Sequence, residues 1–520
     1  MRSKASIGSI SRRTVLAGMA AAGLAACLPE GTWMGRSMLS GVADPAAVPG
    51  LPPGVFTLGV ASGDPRPHGF VLWTRLAPKP LEGGGMPNRT VPVRWQLATD
   101  QSFRHLVADG QVTTGPGVGH SVHVEVDGLP SNRRYFYRFT TGGQVSEVGR
   151  TRTAPARAAS VDHLRIVFAS CQDWRDGYWT SWPHVVADRP DLVFWLGDYI
   201  YEGGIEGEVR NHNSEEVVTL VDYRNRYGLY KQDPGLRAAH AAAPWIVTWD
   251  DHEVENNYAR FRPQDPADDL IFKARRHAAY TAFWEHQPIR SRPQGDHMSL
   301  YRTLRWGQLL QMLVLDGRQF RNNQACGTED LGADCAERRD PNRTMLGPRQ
   351  FDWLQRELAA DRCRWSLLAN QTVMTPVPFG AAYNMDQWDG YPAERTKIFN
   401  SLAKVRNAVV ITGDIHAAGV GDLREEPDGS PVVGTELVTA GISSSFDPAL
   451  ADLAERLLNG LDQVKWFDAH HRGYVRCDIS PGEWRADFRI AAATDQPTST
   501  VSTLTSWRIA DGTPGATEIV

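Results

Sequence analysis

The chain has 520 residues, 42% of them hydrophobic and 22% charged, with 55 basic and 60 acidic side chains and a formal net charge of −5. These are globular values, sufficient for two or three domains, and they exclude disorder over most of the length. There is no basic excess for a nucleic-acid polyanion, and six cysteines are too few for a disulfide scaffold.

The first segment reads as an address. Arg2 and Lys4 are basic, Ser11-Arg12-Arg13-Thr14-Val15-Leu16 follows, and an apolar stretch covers residues 15–26. A basic region before a short apolar run is an export signal, too short to remain as a membrane span. The paired arginines resemble a twin-arginine signal, which makes the twin-arginine export machinery an expected partner. Leu24-Ala25-Ala26-Cys27 resembles a lipoprotein box. Two outcomes stay open: a lipid anchor at Cys27, or cleavage nearby with Cys27 discarded. No later run is long enough to span, so the expected location is periplasmic, extracellular or cell-envelope associated.

From about residue 56 to 153 the pattern alternates, as in Val91-Pro92-Val93-Arg94-Trp95, Val122-His123-Val124-Glu125-Val126 and Tyr135-Phe136-Tyr137-Arg138-Phe139. Gly-, Pro- and Asn-rich turns separate these runs, which predicts an all-β sandwich. Gly128-Leu129-Pro130 before Tyr135 resembles the corner of a fibronectin-III-like domain. An Ala-, Thr- and Pro-rich stretch, residues 151–160, reads as a linker.

Beyond it, short apolar runs each end on a polar residue. They close at Ser170-Cys171, Gly197-Asp198, Asp250-Asp251-His252, Asp316, Asn370 and Gly413-Asp414-Ile415-His416. Runs apolar on both faces are buried central strands, and helical spacing between them (Phe351, Leu354, Leu358) predicts a layered α/β architecture. The expected organisation is a leader over 1–45, a β-sandwich over 54–155, a catalytic domain over 160–500 and a C-terminal tail over 501–520. Ligands in such folds sit beyond the carboxyl ends of the strands. Crowded buried carboxylates repel, and a cation is the usual way to keep them ionised. Carboxylates, an amide oxygen and His suit hard or borderline metals, and metal-assisted hydrolysis follows. Any single Asp could instead cap the next helix, Asp316 above all.

The order of motifs carries a resemblance. Gly197-Asp198-Tyr199-Ile200-Tyr201, Asp251-His252-Glu253 and Gly413-Asp414-Ile415-His416 together resemble the PhoD-like branch of the metallophosphoesterases, the alkaline phosphatase D family. Leu58 to Pro65, Leu72-Trp73-Thr74-Arg75, Val314-Leu315-Asp316-Gly317-Arg318 and Thr439-Ala440-Gly441 agree with it. The resemblance implies an αββα sandwich behind the β-domain and a site pairing Fe3+ with Ca2+. It implies Cys171, Asp198, Tyr201 and His416 around iron, with Asp198 bridging, and Asp251, Asn370 and Asp414 around calcium. His252 would contact phosphate or protonate the leaving oxygen, with Asp251 beside it in the catalytic group. Asp250 competes with Asp251, because the register of that loop is open. Cys326 and Cys335 are placed to pair or to stay free; Cys363 and Cys477 are expected as buried thiols, with pairing between them as the alternative, and Arg318 and Arg321 are expected at the surface, with contact to a phosphate group as the alternative.

The expected function is an exported phosphohydrolase acting on small phosphate monoesters, diesters or both. The alternatives are a narrow nucleotide or phospholipid phosphodiesterase and a non-catalytic exported binding protein on the same fold.

Overall fold

The computed structural model describes residues 48–519 except 329, 361 and 426–428; Arg12, Arg13 and Cys27 lie outside the described residues. Two large sheets form the centre. The first has ten strands in the order Thr517–Ile519, Val501–Ala510, Glu483–Ala491, Arg472–Ile479, Leu164–Ala169, Leu192–Trp195, Pro244–Val247, Val60–Arg66, Gly69–Arg75 and Ser121–Val126. The second has seven: Arg302–Trp306, Leu310–Val314, Trp365–Ala369, Ala408–Thr412, Gly434–Val438, Ala418–Leu423 and Val464–Asp468. The middle strands of each are parallel.

Both faces of these strands are covered, which is why they read as unbroken apolar runs. Ile166, Phe168, Phe194 and Ile246 meet Met312, Val314, Leu367 and Ile411 between the sheets. The alternate residues Val167, Val193, Trp195 and Trp245 pack outward on Trp182, Tyr223, Tyr227 and Leu236 of the first helical layer. Leu313, Leu368 and Val410 pack on Leu354, Leu358, Ile398 and Leu402 of the second. The result is the αββα layering.

The N-terminal sandwich forms when Val91–Ala98, Leu106–Thr114 and Arg134–Thr141 pack on the edge of the first sheet, burying Val93, Leu97, Tyr137 and Phe139 against Phe70, Leu72, Val122 and Val124. Tyr135 Oη donates to the Pro130 carbonyl (3.5 Å), closing the expected corner. Two features depart from the sequence reading. Val60–Arg66 pairs in parallel with Pro244–Val247, so one sheet runs through both the sandwich and the α/β layers. Residues 501–520 are also more than a tail: Val501–Ala510 and Thr517–Ile519 extend that sheet. Trp507 and Ile509, one strand period apart, sink into the core between the sheets.

Candidate metal centre

The parallel strands place their carboxyl ends along one edge, and the chain leaves each strand in a tight turn. Cys171, Asp198, Asp414 and His416 all have φ between +56° and +68°. A non-glycine residue there costs roughly 1–3 kcal/mol, a strain characteristic of functional sites. Gly197 makes one turn possible. Its φ is +122°, and an added Cβ would stand 2.3 Å from Asp250 Cβ. Only glycine lets the Asp198 and Asp250 turns approach this closely.

Glu253, fully buried, ties the same two turns together. One carboxylate oxygen accepts the N–H groups of Asp198 (3.0 Å) and Asp250 (2.8 Å), and the other accepts that of Tyr199 (2.5 Å). Burial raises its pKa to about 8.

Three clusters result. Cys171, Asp198 and His416 present ligand atoms within 4.8 Å of one another; so do Asp198, Asp251 and His252, and so do Asp250, Asp251 and Asp414. Tyr201 joins the first, with its Oη 3.1 Å from Asp198 Oδ2 and 3.0 Å from His416 Nε2. His416 Nδ1 donates to the Ser445 carbonyl (3.0 Å), which leaves Nε2 bare toward the cluster. Burial, reinforced by Asp198, holds both Cys171 and Tyr201 well above their ordinary pKa values. Burial likewise raises Asp198 well up and Asp414 to about 7, and lowers His416 to about 4. Left to themselves these groups stay neutral, and a cation is what would ionise them.

Two orphaned atoms fit that reading. Asp198 Oδ1 and Asn370 Oδ1 are buried without a hydrogen-bond partner. Asn370 Nδ2 is spent on the Thr372 carbonyl (2.6 Å), so only its oxygen is available. Thiol, phenol, imidazole and carboxylate on one side, and carboxylate and amide oxygens on the other, are donor sets that suit metals.

The turns border a cleft of about 270 Å³, lined among others by Asp198, Asp251, His252, Asp386, Asp414 and His416. His252 Nδ1 lies 2.7 Å from Glu202 Oε2, and Glu202 Oε1 accepts the Asn256 N–H (2.7 Å). Burial disfavours the imidazolium, but Glu202, Asp251 and Asp198 outweigh it, and the His252 pKa lies well above its usual value.

Asp250 and Asp251 take different surroundings. Asp250 accepts from Arg318 Nε, whereas Asp251 borders the cleft and accepts the N–H groups of His252 (3.0 Å) and Asn257 (2.6 Å).

Arg318 and Arg321 are buried, against expectation. Arg318 reaches Asp250, Asp386 (2.6 Å) and Asp414 (2.8 Å), and Arg321 reaches Asp386 (2.7 Å). Acidic neighbours compensate for the lost hydration, which sequence position alone does not disclose. Burial raises the Asp386 pKa, but Arg318 and Arg321 overcome it and hold it below the usual range. Asp316 caps no helix, because none starts there; instead it closes a turn, its Oδ1 accepting Trp249 Nε1 (3.1 Å) and the N–H groups of Arg318 (3.2 Å) and Gln319 (3.0 Å).

Sequence reasoning missed Glu202, Glu253 and Asp386 as site residues. Glu202 and Glu253 adjoin residues it singled out; Asp386, in a loop between short elements, carried no signal. Cys326 and Cys335 form a disulfide. No disulfide joins Cys363 to Cys477, and Cys363 is half-buried while Cys477 is buried as expected.

The sequence model of the PhoD-like phosphatase matches residues 166–488, and that of the PhoD-like phosphatase N-terminal domain matches residues 45–155. The chain belongs to the PhoD-like phosphatase family. It is 45% identical over 470 residues to alkaline phosphatase D of Bacillus subtilis, covering 87% of this chain and 80% of that protein. A solved structure of PhoD superposes with a TM-score of 0.86 at 43% identity, covering 89% of this chain and 92% of that one. This PhoD-like chain is therefore a phosphoric ester hydrolase, and its family points to metal dependence and to small phosphate esters as substrates. No helix among the described residues is long and apolar enough to cross a membrane.

Proposed function

We propose that this PhoD-like phosphatase is an exported enzyme that hydrolyses phosphate monoesters and diesters at an Fe3+–Ca2+ site. Cys171, Asp198, Tyr201 and His416 would hold iron, because thiolate and phenolate suit a redox-capable ion and Tyr is a known ligand for it. Asp251, Asn370 and Asp414 with bridging Asp198 would hold calcium, which takes oxygen ligands. Asp251 is preferred to Asp250 because Asp251, like Asp198 and Asp414, lines the cleft and Asp250 does not. The observation that carries the reading is the Tyr201 hydroxyl lying against Asp198 and His416, two members of the cluster that includes Cys171.

When bound, the cations supply Lewis acidity, lowering the pKa of water and stabilising charge on the phosphoryl oxygens. The chain's own residues do the rest. Glu202 holds His252 through Nδ1 and so directs Nε2 into the cleft. As the water oxygen bonds to phosphorus and the ester P–O bond breaks, His252 gives its proton to the departing oxygen. Glu253 and Gly197 keep the two ligand turns in register.

The deciding experiment is metal analysis with visible spectroscopy on protein exported by its own signal. A ferric phenolate absorbs in the visible, so the protein should be coloured and Tyr201→Phe should remove or strongly shift the band. A calcium chelator should lower activity while the band persists. A colourless, fully active enzyme without iron would overturn the assignment. Export through Arg12-Arg13 belongs to the same proposal, and lipid attachment at Cys27 stays an alternative to cleavage beside it.

A further inference from the structure

At the opposite edge of the first sheet, where the strands begin, lies a second concentration of charge. Arg134–Thr141 and Gly149–Arg152 are paired antiparallel, with Arg134 opposite Arg152 and Phe136 opposite Arg150. Arg134, Arg150 and Arg152 therefore stand on one face of this ribbon. Across the seam, Arg189 follows the helix Trp182–Asp188, and Asp191 precedes the strand Leu192–Trp195. These five side chains border a cavity of about 60 Å³.

Like charges directly opposite one another on a ribbon are destabilising. Asp191 answers only part of the charge. Its Oδ1 accepts from Arg152 Nη1 and more distantly from Arg134 Nη2 (3.5 Å), and its Oδ2 faces the Arg165 N–H (3.3 Å). Arg150 Nε donates to the Ala242 carbonyl (2.8 Å), at the end of the helix Pro234–Ala242, and its terminal nitrogens have no partner among the described residues. Arg152 Nε is buried without a partner. Two helix C-termini each contribute about half a negative charge, which leaves an excess of roughly two positive charges. Burial lowers the Arg150 pKa and Arg134 lowers it further, Asp191 opposes them, and Arg189 lowers it again. One water needs roughly 10–15 Å³ of such cavity volume, so the cavity has room for a single tetrahedral oxoanion.

We propose that this seam is a second anion site that binds inorganic phosphate between the N-terminal β-ribbon and the α/β layers, remote from the metal centre. The two sites are separated by at least the length of Leu192–Trp195, about 13 Å at ~3.3 Å per residue. Planar guanidinium groups that present paired donors favour phosphate and sulfate over chloride. The inference needs no metal assignment, and phosphate is the product that the enzyme releases from monoesters.

Equilibrium dialysis of the metal-loaded full chain with radiolabelled phosphate tests it. Wild type should bind two equivalents, one at each site. Arg150→Gln should weaken the seam equivalent at least about tenfold, from the loss of charge-assisted hydrogen bonds, and leave kcat for p-nitrophenyl phosphate unchanged. Arg134→Gln with Arg189→Gln alters two exposed side chains that the fold does not need, and should weaken the same equivalent about threefold per substitution. Unlabelled sulfate should displace it. One equivalent in wild type, two equally tight equivalents in every variant, or displacement only by phenylphosphonate and never by sulfate would each overturn the proposal.

Discussion

Glu253→Gln exchanges one buried oxygen for an amide nitrogen at nearly constant volume. Above its pKa of about 8 the native carboxylate accepts three backbone N–H groups, from Asp198, Tyr199 and Asp250, and so ties one ligand turn to the other. A glutamine has a single acceptor oxygen. If it keeps the pair of bonds to Asp198 and Asp250, its amide N–H groups face the Tyr199 N–H. One charge-assisted bond is lost, about 1.5–3 kcal/mol, and a buried donor is stranded, about 1–3 kcal/mol more. A total near 3–5 kcal/mol that falls on the alignment of the turns lowers kcat/KM about 100- to 4,000-fold, at one decade per 1.4 kcal/mol. The assay is hydrolysis of p-nitrophenyl phosphate at about pH 9, where the native carboxylate is ionised, by protein of verified fold with metal content measured on the same sample. Glu253→Asp provides the control: it keeps the charge but is one methylene short of spanning both turns. A Glu253→Gln enzyme with wild-type kcat/KM and full metal content would refute the idea that this carboxylate holds the centre together.

Glu202→Gln should slow alkyl phosphates, whose leaving oxygen needs a proton, by about 100-fold or more, while p-nitrophenyl phosphate changes little; equal losses on both substrates would remove His252 as the proton donor. His286 is fully buried and neutral, with Arg75 Nη1 at 2.6 Å from Nε2 and the Ala282 carbonyl at 2.6 Å from Nδ1. Burial and Arg75 hold its pKa well below the ordinary value, so below about pH 6.5 the unfolded chain takes up a proton that the native one refuses. Its contribution to stability is present above that pH and is lost as the pH falls toward the native pKa. His286→Gln should flatten the fall in urea-unfolding free energy by up to about 1.4 kcal/mol per pH unit, and an unchanged slope would count against it. Arg12→Lys with Arg13→Lys should block export, and fractionation that finds undiminished export would assign the signal to the general secretory route.

The strand ends were legible in the sequence because a parallel strand covered on both faces must be apolar throughout, so the first polar residue marks where the chain leaves the core. That single rule located the strand ends at Ser170-Cys171, Gly197-Asp198, Asp250-Asp251, Asn370 and Gly413-Asp414, and the resemblance to the family chose among the residues there. The β-sandwich was legible through its two-residue alternation, and the order of the motifs was enough for the family. Tertiary structure decided the rest. Arg318 and Arg321 looked like surface residues because burying a guanidinium depends on acidic partners such as Asp386, 65 to 68 positions away. Residues 501–520 looked like a tail because much of Val501–Ala510 is exposed and the strand carries only part of an apolar pattern. The joining of Val60–Arg66 to Pro244–Val247 depends on backbone hydrogen bonds, which leave no mark on side-chain composition. Local pattern reports what each segment must bury; only the assembled sheets determine which distant charge lies against it.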